Sequence, residues 1–172
     1  MSRIILVTGG GRSGKSAFAE SLLEGASGKV YIATAPCVDG EMRERIRAHR
    51  ERRDGGGWHT IEEETDLVGA LAHAAADGGQ AVLIDCLTLW LNNMLYHKSP
   101  PPCDDTISNL IAAAQAFQGT VVMVLNEVGL GGVSENALTR RFCDLSGRCG
   151  QLVAAAADEV YFVVCGLPMR VK

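Results

Sequence analysis

The chain has 172 residues, 47% hydrophobic and 21% charged, with a formal net charge of −4, a size that suits one domain spanning 1–172 with a core buried without staples. The acidic balance excludes a global basic field for nucleic acid or an anionic membrane, so any anion site must be local. No apolar run approaches the roughly 20 residues of a membrane-spanning helix, and the N-terminus enters a strand at once, leaving no room for a signal peptide; a cytoplasmic protein is expected.

In chain order, the apolar run Ile4-Ile5-Leu6-Val7 leads into Gly9-Gly10-Gly11-Arg12-Ser13-Gly14-Lys15-Ser16. This is a G-x-x-x-x-G-K-S loop between a strand and a helix, the setting in which backbone N–H groups and a helix dipole cradle phosphates. It predicts nucleoside triphosphate binding, with Lys15 on the β/γ oxygens and Ser16 as a hydroxyl ligand for Mg²⁺. Helix one is predicted from Lys15 to about Leu23, and a second from about Asp39 to Arg53 by its acidic first turn and Arg-rich end. A third covers Thr65 to Ala76 with Leu67, Ala70, Leu71 and Ala74 on one face. After a strand at Ala81 to Ile84, Leu87 to Tyr96 looks helical and Ser99-Pro100-Pro101-Pro102 forces an extended break. Asp104 or Asp105 then caps a helix that buries Ile107, Leu110, Ile111 and Ala114.

Strands at Val30 to Ala33, Val121 to Leu125 and Val160 to Cys165 complete the pattern, with a helical region between about Ser134 and Ala157 that Gly147 and Gly150 divide. Leu138, Phe142, Leu145 and Leu152 stand at helical spacing there, and after a turn at Gly166-Leu167-Pro168 a short edge strand covers Met169 to Val171. Continuous apolar runs suit strands covered on both faces, so the expected fold is a three-layer α/β sandwich with a mostly parallel sheet, a P-loop NTPase of the RecA-like kind. Cys37, Cys86, Cys103, Cys143, Cys149 and Cys165 show no C-x-x-C and no zinc-ligand spacing, and reduced structural thiols are expected.

Phosphoryl transfer needs a carboxylate at a neighbouring strand end to hold a metal ion or its waters. Asp85, ending Ala81-Val82-Leu83-Ile84, is the candidate, its alternative being a helix cap; Glu127, after Val121 to Leu125, is a second. A signalling GTPase is disfavoured, because Asn126-Glu127-Val128-Gly129 and Asp85-Cys86-Leu87-Thr88 replace its guanine-reading and switch elements.

Six arginines crowd the segment Glu41 to Arg53. Much of that is an ordinary solvated helix face. On a helix, however, Met42, Ile46 and His49 share a face, and the imidazole is bracketed by Arg47, Arg50 and Arg53. His49 is either a packed core residue or a nucleophile with guanidinium forks for phosphates. His59 beside Trp58 in a glycine-led loop, His73 and His97 receive no role.

Taken together, these residues resemble the bifunctional adenosylcobinamide kinase and adenosylcobinamide-phosphate guanylyltransferase family over essentially the whole chain. Beyond the phosphate loop, the matching stretches are Tyr31-Ile32-Ala33-Thr34, Glu41-Met42 with Arg45-Ile46 and His49-Arg50, and Trp58 with Thr60 and Glu62. Asp85 to Leu91, Asn126 to Gly129 and Ala156 to Val160 continue the set. The resemblance implies phosphorylation of the aminopropanol hydroxyl of adenosylcobinamide by ATP or GTP, then transfer of GMP from GTP to adenosylcobinamide phosphate through a guanylyl-histidine. His49 is then the nucleophile, and Arg50, Glu51, Arg52 and Arg53 form the flanking nucleotide-binding segment that holds phosphates. The remaining implied nucleotide contacts are Gly9 to Ser16, Thr34, Ala35, Pro36, Glu62 and Asp85, with Ser16 and Asp85 near Mg²⁺. A homotrimer is implied as well. Departures are Ala48 beside His49, where some members have a second histidine, and Ser134 and Gly150 in place of proline and asparagine. A small-molecule kinase without guanylyl transfer, or a non-catalytic nucleotide-binding module, are the alternatives to be separated.

Overall fold

The computed structural model describes residues 2–36, 55–97 and 102–172. The predicted helix from Asp39 to Arg53 and most of the proline break lie outside these residues. The strands are β1 (Arg3–Gly9), β2 (Lys29–Ala33), β3 (Trp58–Glu62), β4 (Ala81–Asp85), β5 (Thr120–Asn126), β6 (Glu159–Val164) and β7 (Leu167–Arg170). They form one sheet in the order β3-β2-β4-β5-β1-β6-β7. Every pair is parallel except β6 with β7. The helices are α1 (Lys15–Ser21), α2 (Leu67–Ala76), α3 (Leu87–His97), α4 (Asp104–Ala116) and α5 (Ala137–Ala156).

Burial on both faces explains the unbroken apolar strands. In β1, Ile4 and Leu6 face a cluster with Leu71, Leu91, Leu110 and Val153, on the side of α2 to α5. Ile5 and Val7 face the opposite way, against Ala19 and Leu23 around α1. Alternate residues therefore serve two cores, and no polar face is left to write an alternating pattern.

Several elements differ from expectation for identifiable reasons. Trp58 and His59 open β3, an edge strand paired only to β2, rather than a loop. Its residues are half-buried or exposed, so no apolar run marks it; Trp58 instead sits edge-on to Tyr31, ring centroids 6.2 Å apart. Helix α1 ends at Ser21, two residues early, in tight turns that still bury Leu23. Cys103, not Asp104 or Asp105, occupies the N-cap of α4, and Asp104 instead pairs with Arg148 of α5 at 2.7 Å.

Helix α5 begins only at Ala137, where the Asn136 side chain caps Leu138 and Thr139, and it runs unbroken through Gly147 and Gly150. Leu138 is exposed, while Phe142, Leu145 and Leu152 pack on the core. Strand β6 stops at Val164 and β7 starts at Leu167, because Cys165 (φ 51) and Gly166 (φ 80) form the two-residue hairpin turn. Positive φ at both central positions is the geometry that matches the twist of the flanking strands.

Candidate nucleotide site

The glycines of the loop divide by what their neighbours demand. Gly9 has φ 148, and a Cβ there would come within 2.4 Å of the Val163 carbonyl oxygen; Gly14 has φ 96 with Gly166 Cα 3.2 Å from its Cβ position. Those two are required by backbone conformation and close approach. A Cβ on Gly10 or Gly11 would meet nothing within 4 Å. Their bareness keeps open space above the loop, where phosphates need access to N–H groups. The buried Ser13 hydroxyl has no protein partner, as a loop built around an anion would leave it. Arg12 is exposed with φ 56. The hairpin turn braces the loop from outside, Gly166 N–H donating to the Ser13 carbonyl at 2.8 Å.

Lys15 opens α1 and is 5% exposed, its Nζ folded back to donate to the Gly10 carbonyl at 2.6 Å. Burial lowers its pKa from the usual lysine range, and nearby Cys86 and Asp85 act in the opposite direction. The buried Cys86 thiol is itself pushed up to about 12, so it is a packed neutral group at physiological pH. Asp85 ends β4 and accepts from the Tyr31 hydroxyl at 2.8 Å. Ser16 lies next in α1, half-buried.

A polar clasp positions Asp85. The fully buried Thr34 hydroxyl accepts from Cys86 N–H at 2.7 Å and donates to the Cys86 carbonyl at 2.8 Å. The Thr34 carbonyl in turn accepts from Asn93 Nδ2 at 2.8 Å, and Asn93 also reaches the Glu64 carbonyl. Thr34 therefore acts as a positioning residue, its side chain turned into the protein. Thr34→Val keeps the shape but orphans the Cys86 N–H; because the Cys86 carbonyl retains Trp90 N–H at 3.1 Å, the expected cost is about 1–3 kcal/mol, a melting temperature lowered by roughly 3–10 °C. A calorimetric scan identical to wild type would contradict it.

Strand register puts the remaining candidates on one edge. Glu62 pairs with Ala33, Ala33 with Asp85, Asp85 with Val124, and Val124 with Val7. At about 4.8 Å per strand, Glu62 and the start of the loop flank Asp85 at roughly 10 Å on either side, all at carboxyl ends. Ala35 and Pro36 follow β2, half-buried at that edge. Glu127 N–H donates to the Gly9 carbonyl at 2.8 Å, and its carboxylate accepts from Gly129 N–H at 2.6 Å. Thr88 holds the Asn126 N–H at 2.6 Å. Tyr31, Thr88 and Asn93 escaped the sequence reading as positioning groups. Their signal is a polar side chain buried within an apolar strand or helix. His73 pairs with Asp77 and His59 is exposed on β3, both apart from the loop. His49, Arg50, Glu51, Arg52 and Arg53 lie outside the described residues.

A strand-loop-helix phosphate cradle with a carboxylate two strands away, on a parallel sheet sandwiched by helices, defines a P-loop nucleotide phosphotransferase of the RecA-like kind. The fold is similar to that of a KaiC-like protein, PH0186 of Pyrococcus horikoshii OT3, with a TM-score of 0.55 at 12% identity over 93% of this chain and 70% of that one. Residues 5–171 match the family described as cobinamide kinase / cobinamide phosphate guanyltransferase, and the chain belongs to that family. It is 42% identical to the bifunctional adenosylcobalamin biosynthesis protein CobU of Escherichia coli K12, covering 98% of this chain and 99% of that one. The same identity holds for CobP of Pseudomonas aeruginosa, covering 97% of this chain and 96% of that one.

Proposed function

We propose that this chain phosphorylates adenosylcobinamide with ATP or GTP and then transfers GMP from GTP to the resulting phosphate, giving adenosylcobinamide-GDP. The observation that carries the reading is the shared edge: the phosphate loop with Lys15, Asp85 and Glu62 follow or end β1, β4 and β3 at the same carboxyl edge of one sheet, in a member of this family. In the first step the acceptor hydroxyl oxygen bonds to the γ-phosphorus, the bond to the β,γ-bridging oxygen breaks, and the nucleoside diphosphate leaves. Lys15 and the loop N–H groups stabilise charge as it moves onto the leaving oxygens.

In the second step His49 attacks the α-phosphorus of GTP and pyrophosphate departs. The phosphate oxygen of the acceptor then displaces the imidazole from phosphorus, and free His49 is regenerated. Covalent catalysis divides one difficult displacement into two easier ones. Arg50, Arg52 and Arg53 hold phosphates beside it, with Glu51 in the same segment, and Glu62 reads the guanine nucleotide.

Mg²⁺ fits the donor set: a hydroxyl on Ser16 and a carboxylate on Asp85 are hard oxygen ligands. Among the described residues no cluster of three His, Cys, Asp or Glu could hold a metal alone. A divalent ion would therefore be shared with the nucleotide phosphates, where it neutralises their charge. A homotrimer acting in the cytoplasm, without nucleic acid, belongs to the same proposal; among the described residues no helix is long and apolar enough to cross a membrane.

The test is product analysis. Protein incubated with Mg²⁺, GTP and adenosylcobinamide is expected to shift the corrinoid mass first by one phosphoryl group and then by GMP. A phosphorylated product that never gains GMP would leave a simple kinase; an unchanged corrinoid would leave a binding module.

A further inference from the structure

A cavity of about 230 Å³ opens between α5 and the carboxyl ends of β1 and β5, with Thr8, Asn126, Glu127, Cys143 and Gly147 in its wall. It lies on the face of the sheet opposite α1, immediately beside the phosphate loop, because Glu127 is hydrogen-bonded through its N–H to Gly9. We propose that this cavity is the acceptor subsite, taking the hydroxyl-bearing arm of the corrinoid with Glu127 on the side nearest the phosphate loop. The assignment rests on the phosphoryl-transfer reading above.

Three observations carry it. Position comes first: the γ-phosphate held at the loop must be approached in line, from the side away from the leaving bridge. The cavity opens at the same strand ends yet on the far side of the sheet from α1, whose N-terminus faces the phosphates. Size is the second. Pockets that enclose drug-sized ligands run to roughly 300–1,000 Å³, so this one suits a short side arm and leaves a macrocycle outside. Just beyond the lining residue Gly129, Leu130 and Val133 are 80% and 88% exposed, and a bulky ligand body resting there would cover them.

The third observation is Gly147. Gly150 is explained by packing, since a Cβ there would meet Leu125 Cδ2 at 3.1 Å. A Cβ on Gly147 would meet nothing within 4 Å, although glycine inside a helix costs about 1 kcal/mol relative to alanine. Gly147 is exposed at the cavity's rim, and the wall is bare at that position. On the side of the cavity nearest the phosphate loop, the Glu127 carboxylate is fixed by Gly129 N–H at 2.6 Å. As the acceptor oxygen bonds to the γ-phosphorus and the bridging oxygen leaves with the diphosphate, the hydroxyl proton passes to Glu127 and from there to solvent.

Gly147→Leu adds a bulky side chain at the rim of the cavity, at a position with room for one. The expected result is a KM for cobinamide raised at least about tenfold, with unchanged affinity for GTP measured without acceptor and a melting temperature no lower than wild type. Glu127→Gln, which retains an oxygen for Gly129, is expected to lower kcat of the kinase step by about 10²-fold without changing GTP affinity.

A measurement on the unaltered chain guards against a folding defect in either variant. Alkylation of Cys143, followed by peptide mass spectrometry, is expected to slow several-fold with cobinamide and not with GTP. A cobinamide KM within about twofold of wild type in Gly147→Leu, or Cys143 labelling that cobinamide does not slow, overturns the subsite. So does a Cys143 that never labels, since the cavity would then be closed. Undiminished turnover in Glu127→Gln removes the proton-accepting role. All of these are read against wild-type protein that phosphorylates cobinamide; failure of that reaction itself would instead overturn the function from which the subsite follows.

Discussion

Lys15→Ala is expected to depress both transfers, with kcat/KM for phosphoryl transfer falling by about 10²–10³-fold, the scale seen when one preorganised donor to developing charge is removed. The side chain is nearly enclosed, and its ammonium donates to the Gly10 carbonyl within the loop. That contact holds the donor close to where the β/γ oxygens would sit and within the loop that binds them. A low-dielectric setting strengthens the interaction with phosphate and at the same time lowers the pKa of the free amine. Deleting the group leaves the loop N–H array intact, so nucleotide binding should weaken less than turnover. Steady-state assays with cobinamide and GTP, alongside nucleotide titration, check the split. A variant with wild-type kcat would show that charge on the leaving diphosphate is stabilised elsewhere.

His49→Ala is expected to separate the two activities. Incubation of wild-type protein with Mg²⁺ and [α-³²P]GTP should leave an acid-labile, base-stable label, the behaviour of a phosphoramidate, and the variant should carry none. Guanylyl transfer should fall at least about 10³-fold, the scale of losing a nucleophile that nothing replaces. Phosphorylation of cobinamide should persist within about an order of magnitude, because no phosphorus–nitrogen bond forms in that step. Ala48 sharpens the experiment, since no adjacent imidazole can substitute. Guanylyl transfer that survives at the wild-type rate would remove His49 from the mechanism.

The phosphate loop was readable because its requirements are local and consecutive. Glycine at 9 and 14, lysine at 15 and serine at 16 satisfy backbone conformation, charge and hydroxyl donation within eight residues. Asp85 was readable as the end of an apolar run, but whether it capped a helix or faced the loop was open. The bond from Tyr31 and the clasp through Thr34 hold its carboxylate and the backbone after it, and both partners are more than 50 residues distant in the chain. Strand β3 was missed for a related reason: pairing with β2 and the contact of Trp58 with Tyr31 stabilise it, not an apolar pattern of its own.

By itself the amino-acid order determined the parallel sheet, the position of the anion-binding turn and most helix limits, since side-chain periodicity, capping and glycine's conformational freedom act over one or two turns of chain. Only the folded arrangement decided that the hairpin turn at Gly166 props up Ser13, that Glu127 is tied to Gly9, and that Gly147 borders a cavity. Those juxtapositions come from strand order. A residue's neighbours across a sheet are chosen by the burial of all seven strands together, and that collective choice leaves no mark in any short window of the chain.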